Sequence, residues 1–524
     1  MYSKREVHSF ICSDDYPVVG TEKGKIRGYM LNEMFTFLGI PYAQAERFMP
    51  PRELEPWDDV MDTQDYGFIC PQLPDKEVKG NLAFPKRYWL EREDCQTLNI
   101  WTETLDPEKK MPVVIWLHGG GFSKGSCIEL EAYDGENMGR YGHVVSVSIN
   151  HRLNILGFLD LSDYGPEYEL SGNVGMEDIV EALRWIKKNI AKFGGDPDNV
   201  TVFGESGGGG KVCTLLQMGD ADGLYHKAII ESGVLGGSDE SPAEQKAEKK
   251  EFAQKVVEEI GGIEKLCTLP YNDLMAAVRK VTGDSPFVNW GPVPLTGSYI
   301  GDAWSAGFRD EVKDIPVICG SVFQELVPRN NDFRKKDNFT DEMRYQAIVD
   351  AYGEEAAPAI RTAFEKAYPE FNIYYASLAD CMVRRPTKKF CMLRRDSGAK
   401  TTYNFLFAHE TMYKGGLLST HADELSFVFH NVEYNPSQYA EGRELLLQEQ
   451  FFNAWMQFAR TGNPNHPGIP EWKPLLPGEN NCYVFSKALS CRVDHDDELM
   501  ELLAKYSKYA TMFFHRKKLS DQQK

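Results

Sequence analysis

Val-Thr-Val-Phe-Gly-Glu-Ser-Gly-Gly-Gly-Gly-Lys, residues 200–211, is the stretch on which the reading of this chain turns. Val200 to Phe203 is a short run of β-branched and aromatic residues, which favours a strand. Gly204-Glu205-Ser206-Gly207-Gly208 follows at once and has the form G-x-S-x-G. That order predicts a strand turning sharply into a helix, with the serine hydroxyl exposed on a strained turn. Flanking glycines leave room for such a turn. Taken alone, the pentapeptide also fits a glycine-rich turn with an idle serine. A phosphate-binding loop is excluded by count. The pattern G-x-x-x-x-G-K-[ST] placed on Gly210-Lys211 needs glycine at 205 and serine or threonine at 212, where Glu205 and Val212 stand. A G-x-G-x-x-G starting at Gly207 fails at the same Val212.

Upstream, Met-Pro-Val-Val-Ile-Trp-Leu (111–117) is an unbroken apolar run, the pattern of a strand buried on both faces. It ends in His118-Gly119-Gly120-Gly121-Phe122. Glycines at such a strand end let backbone N–H groups approach a developing oxyanion, where one donor contributes roughly 3 kcal/mol. Further core strands are predicted at 144–150, 226–233 and 315–321. Ile179, Leu183, Ile186, Ile190 and Phe193 step by 4, 3, 4 and 3 and predict an amphipathic helix, stopped by Gly-Gly-Asp-Pro at 194–197. Strands alternating with helices predict an α/β fold with crossover helices. Two stretches, about 235–310 and 328–400, are richer in helix formers and charge. They read as insertions capping the sheet of one domain spanning 1–524.

Composition narrows the partners. A formal charge of −20 over 524 residues argues against nucleic acid or an anionic membrane surface. No apolar run is long enough for a membrane span. The N-terminal residues lack the apolar core of a signal peptide. The eleven cysteines are scattered and contain no C-x-x-C pair, which points to a reducing cytoplasm. Histidines do not cluster at metal-ligand spacing and there is no H-E-x-x-H, so neither metal nor organic cofactor is expected. Oligomeric state is not legible.

In their order along the chain, these residues resemble the type-B carboxylesterase and cholinesterase family of the α/β-hydrolase fold. Gly39-Ile40-Pro41-Tyr42-Ala43 with Arg47-Phe48 begins the resemblance, and Glu93-Asp94-Cys95 with Leu98-Asn99-Ile100 continues it. It runs on through His118–Phe122, Asn150-His151-Arg152, Leu156-Gly157-Phe158, Gly172-Asn173, Gly175, Asp178, Phe193–Asn199, the serine turn and Ser232-Gly233. Trp455, Phe458-Ala459 and Gly462-Asn463-Pro464 fit the closing pattern, so nearly the whole chain is covered. The resemblance implies a mostly parallel central sheet flanked by helices, with large helical insertions over the active site.

It also implies a Ser–Glu–His triad. Gly320-Ser321-Val322-Phe323-Gln324-Glu325 fits the family's acid segment G-[ST]-x-x-x-E, and Thr420-His421-Ala422-Asp423-Glu424 with Phe427-Val428-Phe429 fits its histidine segment. By residue type alone, Asp332 and Asp423 rival Glu325, and His409 and His430 rival His421. Ser206 is then the nucleophile, His421 the base and Glu325 its orienting acid. Backbone N–H groups of Gly120, Gly121 and Gly207 form the oxyanion hole. His118 reads as support for that loop, and Glu205 either tunes the site's electrostatics or is simply a buried carboxylate. The implied reaction is hydrolysis of a small-molecule carboxylic ester through an acyl-enzyme. An amidase or carbamate hydrolase would use the same triad. A non-catalytic scaffold member would usually have lost part of it.

This chain departs from the family pattern in several places. Position 207 is glycine where the family usually has alanine, so a methyl group is expected to fit there. Val322-Phe323-Gln324 is more apolar than usual, and Leu326 replaces the glycine after the acid. Cys70 and Cys95 stand where secreted members form a disulfide, and here they are expected to be free thiols. Phe287-Val288-Asn289-Trp290 suits either bulk near the acyl pocket or ordinary core packing.

Overall fold

The apolar run at 111–117 is the strand around which the fold is laid out. The computed structural model describes residues 7–507 except 74–85, 235, 238–239, 284–289 and 327–330. Twelve strands form the main sheet. They are β1 (Phe10–Ile11), β2 (Tyr29–Leu31), β3 (Met34–Pro41), β4 (Thr97–Thr102), β5 (Met111–Leu117) and β6 (Val145–Ile149). After these come β7 (Gly195–Glu205), β8 (Lys227–Glu231), β9 (Val317–Val322), β10 (Thr402–Phe407), β11 (Asn481–Phe485) and β12 (Ser490–Val493). Their spatial order is β1-β2-β3-β4-β6-β5-β7-β8-β9-β10-β11-β12. Neighbours from β6 to β11 run parallel. The flanking strands pair antiparallel.

Alternation along β5 explains its unbroken apolar run. Val113, Ile115 and Leu117 point to one face and pack with Ile179, Leu183 and Ile186 of α1 (Val174–Asn189). Val114 and Trp116 point to the other, which is shared by Phe203, Phe405 and Phe407 and covered by Phe451, Phe452, Trp455 and Phe458. Each of these large side chains, fully buried, contributes on the order of 1.5–3 kcal/mol. On the face of α1, α2 (Gly207–Leu215) follows the serine turn and α3 (Arg384–Asp396) lies against β9 and β10, while α4 (Arg443–Thr461) supplies the aromatic cover of the other face.

The predicted strands at 144–150, 226–233 and 315–321 are found within two residues at each end, at Val145–Ile149, Lys227–Glu231 and Val317–Val322, and three larger differences have physical causes. α1 starts at Val174 rather than Ile179, because Val174 and Met176 are already buried, and it passes into a 3-10 turn at Ile190–Phe193. β7 begins at Gly195, which pairs with Met111 before the register breaks ahead of Val200. Within the 328–400 stretch, α3 is a crossover helix on the sheet itself and not part of a cap. The helices Asp341–Tyr352 and Ala357–Ala367 gather in a separate apolar cluster with Phe323.

Many residues that carry the resemblance hold the scaffold. Arg152 Nη2 lies 2.7 Å from Asp178 Oδ1 and its Nε donates to Oδ2 at 2.9 Å, both side chains being buried. Arg152 also donates to the carbonyls of Glu46 and Met49 at 3.0 and 2.8 Å. Arg47 pairs with Glu93. Cys70 and Cys95 face each other as buried free thiols. Among the described residues no helix is long and apolar enough to cross a membrane, and no group of three His, Cys, Asp or Glu is placed to hold a metal ion.

Candidate active site

Ser206 occupies the turn between β7 and α2 with φ 55° and ψ −122°, a conformation costly for a residue with a Cβ. Two backbone bonds hold it there: Ser206 N donates to Glu231 O at 2.8 Å, and Gly210 N donates to Ser206 O at 3.0 Å. The outer glycines of the motif are required by contact. A Cβ at Gly208 would lie 1.9 Å from the Leu117 carbonyl oxygen, and one at Gly204 would lie 2.5 Å from the carbonyl carbon of Gly208.

The glycine loop after β5 closes on the same point. Gly120 and Gly121 both have positive φ, 86° and 65°. His118 Nδ1 lies 2.9 Å from Gly119 O. A carbonyl only accepts, so Nδ1 carries the proton. The far end of that peptide unit is the Gly120 N–H, so His118 orients one candidate oxyanion donor. Burial holds the His118 imidazole well below its ordinary pKa, with the charge of Lys211 and the neighbouring His151 adding to the effect. Its ring stacks on His151 at 5.1 Å.

Gly207 corrects the expectation that alanine would fit. A Cβ there would meet Gly121 O at 2.2 Å and Gly121 Cα and N at 2.4 Å. In this chain the loop occupies the space a methyl group would take.

Glu325 and His421 meet in the next layer. Glu325 Oε2 lies 2.5 Å from His421 Nδ1, while Oε1 accepts from Ser232 Oγ at 2.7 Å and Val322 N at 2.8 Å. His421 Nε2 lies 3.2 Å from Glu205 Oε1, off the axis of a hydrogen bond. Burial works against the imidazolium, but the carboxylates of Glu205, Glu325 and Asp380 outweigh it and raise the His421 pKa. Among the described residues no hydrogen bond joins the Ser206 hydroxyl to His421. Glu205 ties the two together, adjacent to Ser206 in the chain and to Nε2 in space.

The rivals are engaged elsewhere. Asp423 Oδ2 accepts from Thr420 N and Oγ1 at 2.6 and 2.9 Å, and Oδ1 accepts from Gln438 Nε2 at 2.9 Å, closing the turn that carries His421. His409 Nε2 bonds Gln438 O at 2.9 Å, and His430 Nε2 lies 2.7 Å from Glu449. The side chain of Asp332 lies outside the described residues, as do residues 287–289. Trp290 is buried edge-on to Phe252 at 5.7 Å.

Sequence reasoning missed a layer of acid behind the serine. Glu231 and Glu424 are fully buried, like Glu205. One oxygen of Glu205, one of Glu231 and both of Glu424 have no protein hydrogen-bond partner. Glu231 accepts from Trp455 Nε1 at 2.6 Å. Burial pushes Glu205 up to about 7 against the opposing charge of His421, pushes Glu231 up to about 8 against its bond from Trp455, and takes Glu424 well above the carboxylate range, with repulsion from nearby carboxylates adding to each. Asp380 caps α3 by accepting from the N–H groups of Met382, Val383 and Arg384 at 3.0, 2.9 and 2.8 Å. Ser232 and Glu424 stood inside segments already noted for the resemblance, but nothing local in the sequence marks what they touch.

Comparison with known proteins agrees over almost the full length. The carboxylesterase family model matches residues 15–502. Para-nitrobenzyl esterase of Bacillus subtilis is 31% identical, covering 93% of this chain and 98% of that protein. Liver carboxylesterase B-1 of Rattus norvegicus is 29% identical, covering 87% and 88%. Among solved structures, an esterase from anaerobic Clostridium hathewayi that can hydrolyze aliphatic aromatic polyesters superposes with a TM-score of 0.85 at 40% identity, covering 95% of this chain and 99% of its own. Carboxylesterase EST55 of Geobacillus stearothermophilus gives 0.70 at 31%, covering 93% and 99%. This chain belongs to the carboxylesterase family of the α/β-hydrolase fold and is a carboxylic ester hydrolase.

Proposed function

We propose that Ser206, His421 and Glu325 carry this hydrolysis. His421 Nε2 takes the proton of Ser206 as its oxygen attacks the ester carbonyl, while the N–H groups of Gly120, Gly121 and Gly207 receive the oxyanion. His421 returns the proton to the departing alcohol. Water, deprotonated by the same nitrogen, then releases the acid and restores the serine. The contact that supports this reading best is the 2.5 Å approach of Glu325 to His421 Nδ1, with the other Glu325 oxygen filled by two donors. So held, the imidazole can present only Nε2 to the serine. Glu205 supports it electrostatically from 3.2 Å.

The substrate is a small-molecule carboxylic ester, and the likeness to the Clostridium esterase extends the proposal to aliphatic–aromatic oligoesters. The domain spans 1–524, with the helical stretches before β9 and before α3 walling the site. A cytoplasmic location suits the free thiols of Cys70 and Cys95. A fluorophosphonate probe should label Ser206 alone, located by peptide mass spectrometry, and Ser206→Ala should lose both labelling and ester turnover. Labelling elsewhere, or an active Ser206→Ala enzyme, would overturn the assignment.

A further inference from the structure

Lys211 takes no part in the steps above, yet it is completely buried on α2, one turn beyond Gly207. Its Nζ donates to the carbonyl oxygen of His118 at 2.7 Å and lies 5.8 Å from the centre of the Phe122 ring. Among the described residues no carboxylate lies within ion-pair distance of it. Three other titratable groups face it: Glu129, whose carboxylate pairs with Lys86 at 3.1 Å, and the imidazoles of His118 and His151. Both imidazoles are held neutral by burial. An ammonium taken out of water without a counter-ion is strongly penalised, so apolar packing alone does not account for a lysine here.

The bonds around it lead to the reaction. Lys211 fixes the carbonyl of His118, the His118 ring fixes the carbonyl of Gly119, and the next group along that peptide is the Gly120 N–H. We propose that Lys211 is a positioning residue of the oxyanion hole, holding the glycine loop in place and setting a positive charge beneath its donors. The inference rests on the reading of Ser206 and the Gly120–Gly121 loop given above. A charge so placed favours the tetrahedral oxyanion over the ground-state carbonyl, so its effect belongs in kcat rather than KM. Burial, opposed by Glu129, lowers the Lys211 pKa to about 7. The ammonium is therefore present below that pH and lost above it, giving catalysis a lysine-dependent alkaline decline.

The test compares the wild type with Lys211→Met and Lys211→Arg on a p-nitrophenyl ester, measuring kcat and KM across pH. Melting curves and affinity for a trifluoromethyl ketone, which forms a serine-bound oxyanion, complete the set. Lys211→Met should lower kcat roughly 10- to 100-fold at neutral pH, less than removal of a direct donor, with KM changed less than about twofold. It should lose the alkaline decline and weaken the ketone by the same factor as kcat. Lys211→Arg should recover part of the loss. A folded Lys211→Met with wild-type kcat, or one that loses kcat but keeps the alkaline decline and the ketone affinity, would overturn the inference. Failure of the probe to label Ser206 in the wild type would instead overturn the reading on which it rests.

Discussion

Arg152 and Asp178 are buried and joined by three hydrogen bonds, two from the guanidinium and one from the Arg152 backbone N–H, and the remaining guanidinium nitrogen donates to backbone carbonyls. Glu205, Glu231 and Glu424 are as deeply buried, but four of their six oxygens have no protein partner. A carboxylate buried beside a guanidinium in this forked geometry is matched in charge, and it fixes the chain segments it joins. Carboxylates buried beside one another cannot all ionise at ordinary cost, so burial and repulsion raise all three above the usual carboxylate range. The cation that can form beside Glu205 is the imidazolium of His421, 3.2 Å away. Equal burial therefore serves a rigid scaffold in one region and, on the proposed mechanism, proton transfer in the other.

Substitutions in the two regions should separate activity from stability. In the site, Glu325→Gln keeps an acceptor for Ser232 and Val322 but cannot stabilise the imidazolium. We expect kcat to fall by about 10⁴ with little change in melting temperature, measured by steady-state kinetics and calorimetry. A near-wild-type rate would remove Glu325 from the mechanism. In the scaffold, Asp178→Asn strands the Arg152 charge. Unfolding free energy should drop by about 3–5 kcal/mol in a denaturant titration, while turnover per probe-titrated site stays near wild type. If Asp178→Asn instead lost turnover at unchanged stability, the division between the regions would be false.

Legibility in the sequence follows the same division. β5 and the serine turn were readable because their causes are local: two-sided burial makes a continuous apolar run, and crossing backbones demand glycine. β10 and β11 gave no such run. Buried polar residues interrupt them, and what Asn404 bonds is distant in sequence, its amide donating to Cys319 O at 2.8 Å. The Ser, Glu and His positions came from a pattern spread along the chain. The acid layer did not, since the Glu231–Trp455 bond spans 224 residues of sequence.

Gly207 shows where a family pattern misleads. The usual alanine suggested tolerance, but Gly121 backbone atoms stand 2.2–2.4 Å from where its methyl carbon would be. Backbone at that distance must move, and the loop that moves carries two of the three proposed oxyanion donors. Gly207→Ala should therefore lose roughly 10²–10³ in kcat, the scale of one oxyanion bond, while remaining folded by calorimetry. Substantial activity would mean that the loop has room to withdraw, and the Lys211 anchor would then be less rigid than its hydrogen bond implies.

The smallest expected effect is also the sharpest test of the acid layer. Burial lowers the His421 pKa, and the Glu205 carboxylate is the first of the groups that raise it. On the proposed mechanism activity requires neutral Nε2, so the acid limb of the kcat/KM profile should follow the coupled titration of His421 and Glu205. Glu205→Gln keeps the shape of the side chain and removes its charge. With that support gone the imidazolium gives up its proton more easily, so the limb should move to lower pH by about one unit, equivalent to ~1.4 kcal/mol. Fixing kcat/KM from pH 5 to 9 on a neutral ester keeps substrate ionisation out of the profile. An unmoved limb would leave Glu205 as a buried carboxylate with no electrostatic hold on His421. A limb moved to higher pH would mean that Glu205 stays protonated and that its neutral carboxyl, not its charge, faces Nε2.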